Sequence, residues 1–326
     1  MQSYLYKILK SSLILPIILF FTSCDGIFEK DLSTEQVNII LPQTNYQSTA
    51  NNVSFKWNEL KGVDNFRLQI VSVSFSNITE FTIDTLINNT TFDVNLSPGN
   101  YEWRIRGENN SSNTEYSLPR TIEITATSDL SQQVINLYLP LNNSYINTTL
   151  PSYSWASLTS ATDYDIEIKS GNDFNLGTLV ESSNSITNSF ASSIALAEGE
   201  YTWGVTANNS TSQSATQTAG FTLDLTIPNA PSLIYPDNVN PINTGDAFTY
   251  SWNRALDNGA FPSPLKDSVY IYTDPSYTNL YKRFESSTTS KLDSITTVGT
   301  YYWRVKTFDE AGNIGSFSQA NTFVIQ

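Results

Sequence analysis

The 326-residue chain contains no histidine, one cysteine and one methionine. Without histidine it lacks the commonest general base and the commonest imidazole ligand, so Ser-His-Asp and Cys-His machinery is excluded. A single cysteine excludes an intrachain disulfide. Positive charge is also scarce: 17 Lys and Arg stand against 31 Asp and Glu, a formal net charge of −14. Such a chain repels phosphate backbones, and nucleic acid is not expected as a partner. Beyond Cys24 there is no long apolar run and no sustained helical period. Carboxylate-only chemistry of the glycosidase kind survives these exclusions. No paired-carboxylate motif stands out, however, and neither catalysis nor a cofactor is expected.

What is present begins at the N-terminus. Lys7 and Lys10 precede the apolar stretch Leu13–Phe21, which has nine residues. That is the size of a signal-peptide core and short of the roughly 20 residues a membrane span needs. It runs into Phe21-Thr22-Ser23-Cys24. Residues 1–23 resemble a bacterial lipoprotein signal, which implies lipidation of Cys24 and anchorage in a membrane by that lipid. The segment 24–36 is polar, acidic and aperiodic, and it reads as a tether of at most roughly 40 Å. Its start, Cys24-Asp-Gly-Ile-Phe-Glu-Lys-Asp-Leu-Ser33, is similar to lipoproteins of Bacteroidota. The resemblance implies the outer membrane and favours display on the cell surface, with the periplasmic face as the alternative.

The rest is one pattern used three times. Gly99-x-Tyr101-x-Trp103, Gly199-x-Tyr201-x-Trp203 and Gly299-x-Tyr301-x-Trp303 recur in step. Trp57, Trp155 and Trp252 precede them and complete the set of six tryptophans. Leu41-Pro42, Leu139-Pro140 and Tyr235-Pro236 come earlier still; their prolines lie 15, 15 and 16 residues before those tryptophans. Apolar and polar residues alternate in Val53–Trp57, Phe66–Ile70, Tyr164–Ile168 and Tyr301–Val305. This period of two marks half-buried strands. Short strands separated by turn residues predict antiparallel β-sandwiches. Leu96-x-x-Gly99-x-Tyr101 and Leu196-x-x-Gly199-x-Tyr201 look like a tyrosine corner, in which the hydroxyl bonds back to upstream backbone. The repeats resemble fibronectin type III domains, expected at 37–126, 134–224 and 232–326. They make an all-β chain with polar Ala126–Gln133 and proline-stiffened Ile227–Pro231 as linkers.

The third repeat departs from the others twice. From Trp57 to Leu68, and from Trp155 to Ile166, is 11 residues; from Trp252 to Val269 is 17. The six extra residues lie in Arg254–Lys266, a loop carrying Phe261. The outward positions of two neighbouring strands are Arg67, Gln69, Glu102 and Arg104 in the first repeat, and Asp165, Glu167, Thr202 and Gly204 in the second. In the third they are Tyr270, Tyr272, Tyr302 and Arg304. Tyr270, Tyr272, Tyr302 and Phe261 are therefore the candidate ligand-binding residues; sheet pairing of the tyrosines is the competing reading. Asp309, Glu310 and Asn313 raise calcium as a ligand, but a hairpin turn explains them better, and no metal site is expected. Asp84-Thr-Leu86, Asp267-Ser-Val269 and Asp293-Ser-Ile295 resemble the triplets that Bacteroidota glycosylate on exported proteins.

These features point to a non-catalytic, membrane-anchored surface lipoprotein that binds glycan or protein. A spacer or accessory subunit of an envelope complex is the alternative, and a carboxylate-dependent glycosidase stands behind both.

Overall fold

The computed structural model describes residues 29–326. The signal segment and Cys24 lie outside the described residues. Every named element is a β-strand except one short 3-10 turn, Phe75–Asn77. No helix among the described residues is long and apolar enough to cross a membrane. Internal contacts group the chain into two compact units. The first comprises Phe55–Phe92, Glu102–Arg120 and the segment ending at Gln43; the second comprises Thr44–Ser54, Asp93–Tyr101 and Thr121–Gln326.

In the first unit Asn65–Ser72 pairs antiparallel with Phe81–Ile87, and Ile39 lies opposite Trp57. The core collects Phe55, Trp57, Phe66, Leu68, Ile70, Trp103 and Ile105, all buried. Phe55 meets Trp103 edge-on at 4.7 Å, and Trp57 meets Phe66 at 5.4 Å. Leu32 also belongs here, with none of its surface exposed. Its amide donates to Ser112 Oγ at 2.9 Å, while Asn109 Nδ2 donates to the Lys30 carbonyl at 2.8 Å. The fold therefore reaches further toward the N-terminus than the expected boundary at residue 37. An apolar side chain inside a polar segment is worth burying even when its neighbours are not.

The second unit contains two complete pairs of sheets. One pair sets Ser189–Ala191, Ser152–Trp155 and Leu137–Leu139 in a three-stranded sheet. Its partner orders Ser144–Ile146, Gln217–Leu223, Gly199–Asn208, Asp163–Ser170 and Thr178–Ser185. The other pair sets Ser232–Tyr235, Ala247–Asn253 and Ser290–Ser294 together. It is completed by Leu280–Ser286, Leu265–Tyr272, Gly299–Asp309 and Ile314–Phe317, with Asn321–Ile325 also on the long strand. Each pair has its own apolar core, around Trp155 and Trp203 in one and Trp252 and Trp303 in the other. The same order of strands occurs from residue 39 to 124.

All six tryptophans are among the most deeply buried side chains. The tyrosine corners form as the spacing predicts. Tyr101, Tyr201 and Tyr301 hydroxyls donate to the carbonyls of Ser97, Ala197 and Thr297 at 2.9, 2.8 and 3.0 Å. The three Xaa-Pro bonds of the repeat, before Pro42, Pro140 and Pro236, are all cis.

The expected linker Ala126–Gln133 is fastened at several points. Leu130 is 1 % exposed and sits in the core of the sandwich that follows it. Its amide donates to Ser212 Oγ at 2.9 Å, Asn209 Nδ2 donates to Ser128 O at 2.8 Å, and Ser160 Oγ donates to Thr127 O at 2.6 Å. Val134 and Asn51 exchange two hydrogen bonds, at 2.8 and 2.9 Å, and Gln133 Nε2 reaches Thr49 O at 2.7 Å. A segment with this many directed bonds and a buried leucine is part of the fold, whatever its composition.

Candidate functional site

The outward face of the sheet containing Leu265–Tyr272 and Gly299–Asp309 carries the predicted tyrosines. Register places Tyr270 opposite Arg304 and Tyr272 opposite Tyr302, so all four project to one side. Tyr270 and Tyr272 stack with centroids 6.4 Å apart. Tyr270 and Tyr302 are half-buried, whereas Tyr272 is only 6 % exposed. The expected open tyrosine surface is thus partly roofed.

The roof is Tyr277, whose ring meets Tyr272 edge-on at 5.5 Å. Tyr277 has φ of 58°, a left-handed conformation unfavourable for a bulky residue. Asp274 holds the turn: its carboxylate accepts the amides of Ser276, Thr278 and Asn279, the last at 2.6 Å. Those backbone N–H groups, Asn279 first, keep the Asp274 carboxyl below its ordinary range. The guanidinium of Arg304 then lies between rings, 3.8 Å from the Phe317 centroid, 4.4 Å from Tyr277 and 5.3 Å from Tyr272. Stacked this way, Arg304 is part of the scaffold of the face.

What stays open is a groove of about 340 Å³ along Ser268, Tyr270, Arg283, Glu285, Lys306 and Phe308. Arg283 and Lys306 flank the Tyr270 ring, their charged ends 5.2 and 5.7 Å from its centroid. Arg283 also pairs with Glu285 at 2.7 Å. Lys306 appears in no ion pair among the described residues. A half-buried ring between two cations offers a flat apolar surface beside positive charge.

Phe261 is not brought to this groove. Its amide points at Glu198 Oε1, 3.4 Å away, and the neighbouring Gly259 is packed against Glu198 and Thr226. Asn229 Nδ2 donates to Leu256 O at 2.9 Å, and Ser263 donates twice to Asp224 at 2.7 Å. The inserted loop therefore docks on the end of the preceding sandwich. Among the described residues its phenylalanine pairs with none of the tyrosines. The reason is geometric: this loop lies at the end of its sandwich that faces the preceding domain, while the tyrosines lie on the flank of the sheet.

The equivalent faces of the other repeats show what sequence alone missed. Arg104 lies 4.1 Å from the Tyr116 centroid and 4.3 Å from Phe75, so the first repeat also holds an arginine between rings. In the second repeat this position is Gly204, and a Cβ there would come within 2.6 Å of the Phe174 ring. Phe174 drops into the space and borders a polar groove of about 570 Å³ with Asp165, Glu167, Asn184, Thr206 and Gln213. The signal in the sequence was the glycine standing where its neighbours have arginine.

The third repeat also differs inside. Asp267 occupies the position of Phe66 and Tyr164 and is fully buried. It accepts Trp252 Nε1 at 2.7 Å, Thr307 Oγ1 at 2.6 Å and Arg254 Nε at 2.8 Å. Ser268 of the triplet Asp267-Ser-Val269 is 1 % exposed and so is closed to modification in the folded chain. Ser294 of the third triplet is exposed.

No protein-family model and no curated protein sequence matches the chain. Among solved structures it is similar to the FN1-FN3 domains of chicken CNTN1, at 13% identity and a TM-score of 0.47, over 89% of this chain and 98% of that one. It is also similar to the fibronectin(III)-like modules of Clostridium thermocellum CbhA, at 11% identity and a TM-score of 0.41, over 59% of this chain and 93% of that one. At this distance the fold assignment rests on the chain's own sheets and tyrosine corners. They define tandem fibronectin type III-like β-sandwiches, a fold that serves many unrelated roles.

Proposed function

We propose that the chain is a non-catalytic binding module of the bacterial envelope, held to the outer membrane by lipid on Cys24, and that it grips an acidic glycan through the Tyr270 groove. The observation that carries this reading is the half-buried Tyr270 ring flanked by Arg283 and Lys306 in a chain of net charge −14. An aromatic face stacks on a sugar ring, and flanking cations receive its carboxylates or sulfates. The lack of histidine supports the non-catalytic part. The anchor is supported by the apolar stretch Leu13–Phe21 and the solitary cysteine behind it.

The test is an array of acidic and neutral glycans probed with the purified full chain. Binding is expected for acidic glycans, weakening as salt rises, and it should vanish in Tyr270→Thr/Lys306→Ser. Both positions are partly exposed, so the double variant should keep its thermal transition. Binding unchanged in a folded double variant would refute the groove. For the anchor, Cys24→Ser should move the protein from the membrane fraction to the soluble one.

A second reading, a spacer without a small ligand, is favoured by the hydrogen bonds that fasten Val134 and Gln133 to Asn51 and Thr49. Capture of a stoichiometric envelope partner with no glycan binding would support it.

A further inference from the structure

Where the end of the strand Gln217–Leu223 meets the inserted loop and the strand Gly299–Asp309, three carboxylates converge. Asp224, Asp257 and Asp309 each present an oxygen, and the three lie within 4.8 Å of one another. Asp224 is wholly buried and Asp309 is 3 % exposed. Among the described residues no Lys or Arg pairs with any of them. Buried like charges without a counter-charge are strongly unfavourable.

The donors around the cluster are neutral and come from the backbone and short side chains. Asp224 Oδ2 accepts Ser263 N and Oγ, both at 2.7 Å, and Oδ1 accepts Thr226 N at 3.0 Å. Asp309 Oδ1 accepts the amides of Gly312 and Asn313 at 2.8 and 2.7 Å, and Oδ2 accepts Asn313 Nδ2 at 2.8 Å. Asp257 Oδ1 accepts Gly259 N at 2.9 Å. Asp257 Oδ2 is different: it is sealed from solvent and receives no hydrogen bond at all. A sealed carboxylate oxygen without a donor, on a part-buried aspartate whose carboxylate lies beside two others, calls for an electrophile that no side chain supplies.

We infer that Asp224, Asp257 and Asp309 bind a divalent cation of the calcium class at this junction. The ligands are hard oxygens only, which suits calcium or magnesium and not the softer metals. Oxygens at about 2.4 Å from one calcium ion lie no further than about 4.8 Å apart, a limit that the three oxygens here satisfy. Magnesium sheds its water reluctantly, so a site closed on this scale selects calcium. This also gives the longer loop of the third repeat a purpose. The loop supplies Asp257, and with Ser263 it brings the third ligand group to the other two.

The test uses the purified full chain, stripped with chelator and titrated with calcium at neutral pH by calorimetry and by thermal unfolding. One ion per chain is expected, with a rise of several degrees in Tm at millimolar calcium and no comparable response to magnesium. Asp257→Asn should weaken calcium binding by about 10-fold or more, since one of three charged ligands is lost. Absence of heat and of a Tm shift in the wild-type chain would overturn the proposal, as would calcium binding undiminished in Asp257→Asn. A variant that melts higher than wild type by the same margin with and without calcium would place a shared proton between the carboxylates and no ion. Should Asp257→Asn fail to fold, direct calcium stoichiometry on the wild-type chain decides.

Discussion

Leu130→Ala examines whether the segment before the second sandwich is linker or core. The side chain is 1 % exposed among Trp155, Ile166 and Leu223. The change deletes three carbon atoms, about 2.4 kcal/mol at about 0.8 kcal/mol per buried methylene. A residual cavity adds about 1 kcal/mol, for a total of about 3–4 kcal/mol. In a sandwich of this size each kcal/mol moves Tm by roughly 4–8 °C, so a drop of about 12–30 °C is expected. Scanning calorimetry on the full chain should show one transition moving by that amount. The transition of the third sandwich, which has a separate core, should stay in place. Ser131→Ala, one residue on and exposed, is the control and should change stability by no more than about 0.5 kcal/mol. If Leu130→Ala behaves like the control, the leucine contributes nothing to the core and the early start of the fold is refuted.

Other outcomes follow from buried charge. Glu181 is desolvated, which raises its pKa, but the Ser192 hydroxyl and the Ser193 hydroxyl and amide outweigh this and hold the carboxyl below its ordinary value. A lowered folded pKa stabilises above the unfolded value and loses that contribution as pH falls through the folded one. Glu181→Gln should therefore cost about 1–3 kcal/mol at neutral pH, and the gap to wild type should close in acid, below the ordinary carboxylate range; chemical denaturation at both pH values measures it. Asp267→Ala strands Trp252 Nε1, Thr307 Oγ1 and the Arg254 guanidinium, and should cost about 3–5 kcal/mol, while Asp267→Asn should cost less. Equal melting temperatures for Asp267→Ala and wild type would show the pair to be dispensable.

The sandwiches were legible because their markers are local and strongly repeated. A Tyr two residues before a Trp, on a strand of alternating character, can be read from a dozen residues. Leu32 and Leu130 were equally periodic, each inside Asp-Leu-Ser, but a polar composition hid a single buried side chain. The tyrosine face was legible as a face because strand alternation sets the side of the sheet. Its accessibility was not, because the roof comes from Tyr277 in a turn whose left-handed residue no pattern announces. The acidic cluster was least legible of all. Asp224, Asp257 and Asp309 are far apart in the chain, and each has an ordinary local explanation as a turn or strand-end residue. Only their meeting in space makes them unusual.

The short strand Tyr46–Ser48 runs parallel to Arg120–Ile124, and Ser144–Ile146 runs parallel to Gln217–Leu223. Ile242 and Ile325 form a parallel bridge in the third sandwich. Strands near the two ends of each repeat are thus joined side by side and point the same way. Tension applied along such a chain pulls the joined strands in opposite directions along their length, so their hydrogen bonds are loaded together in shear and are not peeled apart one by one. A protein held at one end and gripping a target at the other would resist extension at every repeat until a whole row of bonds gave way.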